Sequence, residues 1–327
     1  MRNGWTAAAL AAAALSAAGA PSSAQEVAPK ATAAVSVGYV LVPVVVTDTK
    51  GRTLRGLKER DFTLKVDGRP VALDLFTASD DAPVSFTILL DGSGSMALAG
   101  KLDGARAALA ALVAQRHPGD DFSLHVFSEG TVREVVPFTE DAAHLRRAAA
   151  AVKPFGKTAF FDALAKMPDR SLLGRNGSRA IVLLTDGVDN ASALTEEGLA
   201  KLLEGVDVPV YPIGLRSPGP PVTPGPGDTL EHFLNLDVLG RIARVTGGRL
   251  AIVDDPAKLA DAVREIQRDL RSQYLLGFAP TGRGPVRYRH FFLELSGSPK
   301  PFRMRTGYRG TEPPWRENES AKKGSGK

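Results

Sequence analysis

Across residues 84–270 the chain alternates between two hydrophobic periods, and this alternation limits its fold more than any other feature. Short apolar runs at 86–90, 122–127, 180–184, 208–213 and 250–253 read as buried strands. Between them, Leu102, Ala105, Leu109, Leu112 and Val113 recur at helical spacing. Residues 142–152 form a second helical pattern, with Thr139 as the expected N-cap and Glu140 and Asp141 in its first turn. Thr195 caps another. Asp255-Pro256 opens one more, with Leu259, Val263, Ile266 and Leu270 on one face. Residues 135–138 read as a short edge strand. Strands alternating with helices predict an α/β domain, a doubly wound and mainly parallel sheet with helices on both faces.

In such a sheet ligands bind beyond the carboxyl ends of the strands, and three loops there carry oxygen ligands. The first apolar run ends in Asp91-Gly92-Ser93-Gly94-Ser95, which sets one carboxylate and two hydroxyls close together on a backbone free to turn tightly. Thr158 lies in the segment Phe155-Gly156-Lys157-Thr158-Ala159, and Asp186 follows the run 181–184. Hard oxygen donors of this kind suit Mg²⁺, which takes near-octahedral geometry and usually keeps some waters. Only Asp91 and Asp186 bring charge, so the set balances a divalent ion without saturating it. Each piece alone has an ordinary reading: a turn for the Ser-rich loop, a helix N-cap for Thr158, a turn for Asp186-Gly187. Together and in order they point to a metal. Asp162 and Asp189 read as structural or solvated, and the histidines show no metal-ligand spacing.

Asp-x-Ser-x-Ser, a downstream Thr, and Asp-Gly after a later apolar strand resemble the von Willebrand factor A (VWA) domain and its metal-ion-dependent adhesion site (MIDAS), over about residues 84–274. The resemblance implies that Asp91, Ser93, Ser95, Thr158 and Asp186 hold Mg²⁺ or Mn²⁺. It also implies a protein ligand that presents an Asp or Glu carboxylate to the open position. The flanks, residues 42–71 and 274–310, resemble those of secreted VWA-related proteins of acidobacteria. One departure stands out. The family often has Gly-Gly-Thr where this chain has Gly156-Lys157-Thr158, and Lys157 is expected to bring positive charge near the metal.

The flanks carry a different pattern. Residues 35–47 are dense in valine, with Pro43 expected at an edge or bulge. Phe62, Leu64 and Val66 alternate with polar residues. Asp67-Gly68 marks a hairpin, and Val71, Leu73 and Leu75 continue beyond it. Strand signals return at 274–278, 290–295 and 302–306. The amino-terminal strands are too few to stand alone, so the two flanks are expected to combine into a small β-sandwich-like domain into which the α/β domain is inserted. The expected boundaries are a signal peptide at 1–24, a linker at 25–34, an amino-terminal β unit at 35–82 and the VWA domain at 83–273. Completing strands at 274–311 and a disordered tail at 312–327 follow. The Pro/Gly-rich stretch 217–228 reads as a surface loop.

Met1-Arg2, an apolar stretch over residues 5–15 and Ser22-Ser23-Ala24 read as a secretory signal, cleaved after Ala24 or kept as an anchor. The apolar stretch is short for a membrane span. The chain has no cysteine, hence no lipid-attachment site and no disulfide framework. A secreted or periplasmic protein with no membrane span in the mature chain is expected. Net charge is +5, from 41 basic and 36 acidic residues spread along the chain, with no basic stripe for nucleic acid.

Enzyme readings fail on particular residues. A phosphotransferase of the haloacid dehalogenase type needs a second acid where Ser93 stands. A P-loop needs glycine where Ala151 stands. No Gly-x-Ser-x-Gly elbow surrounds Ser93 or Ser95. We therefore expect no catalytic residues and no organic cofactor. The expected function is metal-dependent protein binding or adhesion. The alternative is a structural scaffold or assembly component of the cell envelope, in which the metal only stabilises the fold.

Overall fold

The computed structural model describes residues 38–78, 82–215, 229–253, 255 and 258–316. The expected signal peptide, the linker, the 217–228 loop, Pro256 and tail residues 317–327 lie outside the described residues.

In chain order the elements are β1 (Val40–Val46), β2 (Phe62–Val66), β3 (Arg69–Pro70), β4 (Leu75–Ala78), β5 (Val84–Asp91), α1 (Lys101–Ala114), β6 (Asp121–Ser128), β7 (Thr131–Thr139), α2 (Ala142–Ala150), α3 (Phe160–Leu164) and α4 (Met167–Ser171). They continue with β8 (Ser178–Thr185), α5 (Glu196–Leu203), β9 (Val210–Leu215), α6 (Thr229–Thr246), β10 (Ala251–Val253), α7 (Leu259–Leu270), β11 (Gln273–Phe278), β12 (Arg287–Leu295), β13 (Phe302–Arg303) and β14 (Gly307–Gly310).

The central sheet has six strands in the order β10-β9-β8-β5-β6-β7. Only β7 is antiparallel to its neighbour. Side chains alternate between its faces, as the pleat requires. Phe86, Ile88 and Leu90 of β5 enter one core with α1, α2 and α7. Leu89, Ile181 and Leu183 enter the other with α3, α4, α5 and α6. Each of these buried apolar side chains stabilises the fold by about 1.5–3 kcal/mol. Because β5 lies between β6 and β8, the chain reverses its direction of travel across the sheet there. Such a switch point opens a crevice at the carboxyl ends of the strands.

The flanking segments form two four-stranded antiparallel sheets, β13-β1-β11-β4 and β14-β12-β2-β3. Their alternating residues, among them Val42, Val44, Phe62, Leu64, Leu276 and Phe278, share a third core. Neither sheet is complete without strands from both ends of the chain. The α/β domain is therefore inserted into a β sandwich.

Several local expectations need correcting. Pro43 sits in β1, an interior strand. It is tolerated because β13 pairs only with Val45 and Val46 and leaves the Pro43 stretch open on that side. The Asp67-Gly68 turn forms with both residues at positive φ, but its second arm is only β3, and the chain then crosses to pair as β4 with β11. The N-cap of α2 is Asp141, whose carboxylate accepts from the Ala143 and His144 amides at 2.8 and 3.0 Å, and not Thr139. Thr195 does cap α5. The helix α6, whose pattern the sequence reading passed over, buries Leu239 and Ile242. The stretch 312–316, assigned above to the tail, is tied down: Trp315 bridges to Val71 beneath the Arg69 guanidinium, and the Arg316 amide donates to Pro70.

Candidate metal centre

Three loops meet at the carboxyl edge of the central sheet, and backbone hydrogen bonds lace them together. The Gly94 amide donates to the Gly156 carbonyl and the Phe155 amide to Gly92, both at 2.9 Å, joining the loop after β5 to the loop before α3. The amides of Asn190 and Ala191 donate to the Thr158 carbonyl, joining that second loop to the one after β8. The Asn190 side chain returns the contact by accepting from the Thr158 amide at 2.9 Å. Gly156 adopts φ +76°, where an L side chain is strained.

On this frame Asp91 ends β5, wholly buried. One of its oxygens accepts from the Ser93 amide at 2.9 Å and the other from the Thr185 hydroxyl at 2.6 Å. Burial is the main influence on this carboxyl and pushes its pKa from 3.8 up to about 6. Hydrogen bonding from Ser93, through hydroxyl and amide, and from Thr185 pulls it back, and nearby Asp186 raises it further. An ionised carboxylate so deprived of water gains from a cation. Ser93 is buried and its hydroxyl lies 3.1 Å from that of half-buried Ser95. Thr158 is buried too, and the N-cap position of α3 falls on Ala159, not on Thr158.

Asp186 follows β8 on the other side of the switch point. One oxygen accepts from the Val188 amide at 3.3 Å; the other meets the Lys101 ammonium at 2.8 Å. Lys101 and Thr185 belong to the site although the sequence reading singled out neither. A lysine at the first position of a helix is a faint signal, because the positive helix end disfavours it. Lys157, expected near the metal, is exposed, and the cation that reaches Asp186 is Lys101. Asp189 and Asp162 bind protein. Asp189 accepts from the Phe161 amide and the Ser192 hydroxyl, Asp162 from the amides of Ala193 and Leu194.

Among the described residues no three His, Cys, Asp or Glu side chains come together. The donor set is two carboxylates and three hydroxyls. These residues fit a hard cation by their chemistry: oxygen-only donors, one carboxylate short of water, and a buried threonine hydroxyl.

A doubly wound sheet with a hydroxyl-and-carboxylate loop cluster at its switch point defines a class of ligand-binding α/β domains. Residues 86–188 match the family model of the von Willebrand factor type A domain. The chain carries a VWA domain over these residues. No curated protein matches it. Similar solved structures include a von Willebrand factor type A protein from Catenulispora acidiphila, 18% identical over 79% of this chain and 67% of that one, with a TM-score of 0.49. An aerotolerance-related membrane protein from Bacteroides fragilis is 24% identical over 57% of this chain and 98% of that one (TM-score 0.44). BatB from Bacteroides thetaiotaomicron is 24% identical over 58% of this chain and all of that one (TM-score 0.45). Among the described residues no helix is long and apolar enough to cross a membrane.

Proposed function

We propose that this chain is an exported protein-binding module. It captures its partner through a divalent ion, Mg²⁺ or Mn²⁺, held by Asp91, Ser93, Ser95, Thr158 and Asp186, and it catalyses no reaction. The observation that carries this reading is the buried Asp91 carboxylate, hydrogen-bonded by Ser93 and Thr185 with no protein cation on it among the described residues, and standing beside a second carboxylate and three hydroxyls on interlaced loops. Two carboxylates neutralise a divalent ion and leave coordination positions for water or for a partner's Asp or Glu. Leu98 and Phe155, 63% and 58% exposed on the two loops beside the donors, offer apolar surface to such a partner.

Titration calorimetry of the chain from Gln25 onward tests the reading. Mn²⁺ binding that is lost in Asp91→Ala, with the variant still folded, is the expected result. No binding of Mn²⁺ or Mg²⁺ at millimolar concentration overturns it. If metal raises the melting temperature while an Asp/Glu-bearing partner binds equally well in chelator, the envelope-scaffold reading replaces adhesion.

A further inference from the structure

We propose that Lys101 is a built-in counter-ion of the metal centre: its ammonium occupies Asp186, a divalent ion must displace it to bind, and this exchange sets the affinity of the site. The inference rests on the metal-binding reading above and adds a residue to it.

Three observations carry it. The Lys101 ammonium lies 2.8 Å from Asp186, and the two side chains are only 13% and 3% exposed, so the pair is largely removed from water. Screening is weak in such a place, and removing one partner leaves the other as an uncompensated buried charge. Next, Lys101 is the first residue of α1, where the helix dipole disfavours positive charge. The local rule is broken at this site, and the ion pair with Asp186 compensates for it. Finally, the backbone turns sharply just before the lysine. Ala99 and Gly100 adopt φ +50° and +70° in succession, a left-handed turn costly for alanine, and α1 starts directly after it.

The chemistry is a cation exchange. Asp186 is one of only two charged donors in the set, so a metal that uses its Lys101-bound oxygen must break the ion pair. The ammonium then leaves for solvent on its flexible stem. The lysine thus lowers affinity below what the donor set alone supports and ties metal binding to exposure of one amine.

Two measurements test this. In calorimetry, Lys101→Met keeps the apolar stem and removes the charge, and Mn²⁺ is expected to bind it about tenfold or more tightly than wild type. Independently of that variant's folding, amine labelling of the wild-type chain read by mass spectrometry is expected to show Lys101 shielded in chelator. Saturating Mg²⁺ should increase its labelling severalfold, with exposed Lys157 as the reference. If wild type binds Mn²⁺ but folded Lys101→Met binds no more tightly, or if Mg²⁺ leaves Lys101 labelling unchanged, the counter-ion role is overturned and the metal centre stands. If neither protein binds Mn²⁺, the metal reading falls and the counter-ion role with it.

Discussion

At the end of β5 one carboxylate is walled off from water by the sheet and its loops. Burial raises the folded-state pKa of Asp91 from 3.8 to about 6 and so penalises its ionised form. The linkage follows in sign. The folded chain holds the Asp91 proton more tightly than the unfolded chain, so the associated stability is present below pH ~4 and is lost as pH rises through about 6. Two pKa units correspond to about 3 kcal/mol. Urea unfolding in chelator should show wild type losing up to that amount relative to Asp91→Asn between pH ~4 and ~6, with a constant difference above. A difference independent of pH would count against a buried, titrating Asp91. The five proposed ligands were singled out by residue type and order in the loops after β5, before α3 and after β8, together with the family resemblance; that these three loops meet at one edge is what the structure adds. Thr185 and Lys101 were not singled out. Their part depends on which way the last residue of β8 points and on where a left-handed turn starts α1, and spacing encodes neither.

At the level of elements the site is held by turns more than by strands. Gly156 at φ +76° donates and accepts nothing unusual, yet its carbonyl is the tie to Gly94. An added Cβ would also come within 3 Å of the Glu129 side chain. Gly156→Ala should cost about 1–2 kcal/mol in chemical unfolding, mainly from the left-handed backbone. It should also weaken Mn²⁺ binding, since Thr158 lies two residues further on. Unchanged stability would show that the loop tolerates the substitution by moving. β5, β8 and β9 were readable because they are buried on both faces and give near-continuous apolar runs. The short β3 arm and the crossing to β4 were not. Alternation at Val71, Leu73 and Leu75 is the same whether a strand continues its hairpin or leaves for the opposite sheet.

The whole molecule is organised around the seam where the chain enters and leaves the α/β domain. Buried Arg271, just past α7, lies 2.5 Å from Asp120, and the same guanidinium donates to the Ala82 carbonyl. Asp120 in turn accepts from the Val84 amide at 2.9 Å, so one ion pair clamps entry and exit. Removing either partner of such a pair is far costlier than replacing both. The sandwich depends on both ends of the chain: among the described residues β1 pairs with β11 and β13, and β4 with β11. A fragment of residues 25–81 should therefore give a collapsed, poorly dispersed NMR spectrum, and a well-dispersed one would refute this dependence. Ala78 at the end of β4 and Tyr274 at the start of β11 are register partners. The inserted domain thus hangs from two adjacent strand ends. Tension applied at Val40 and Arg316 is carried strand to strand through the sandwich and bypasses the loops after β5 and β8. A partner pulling on those loops draws β4 and β11 in the same direction, so the hydrogen bonds between them are not sheared.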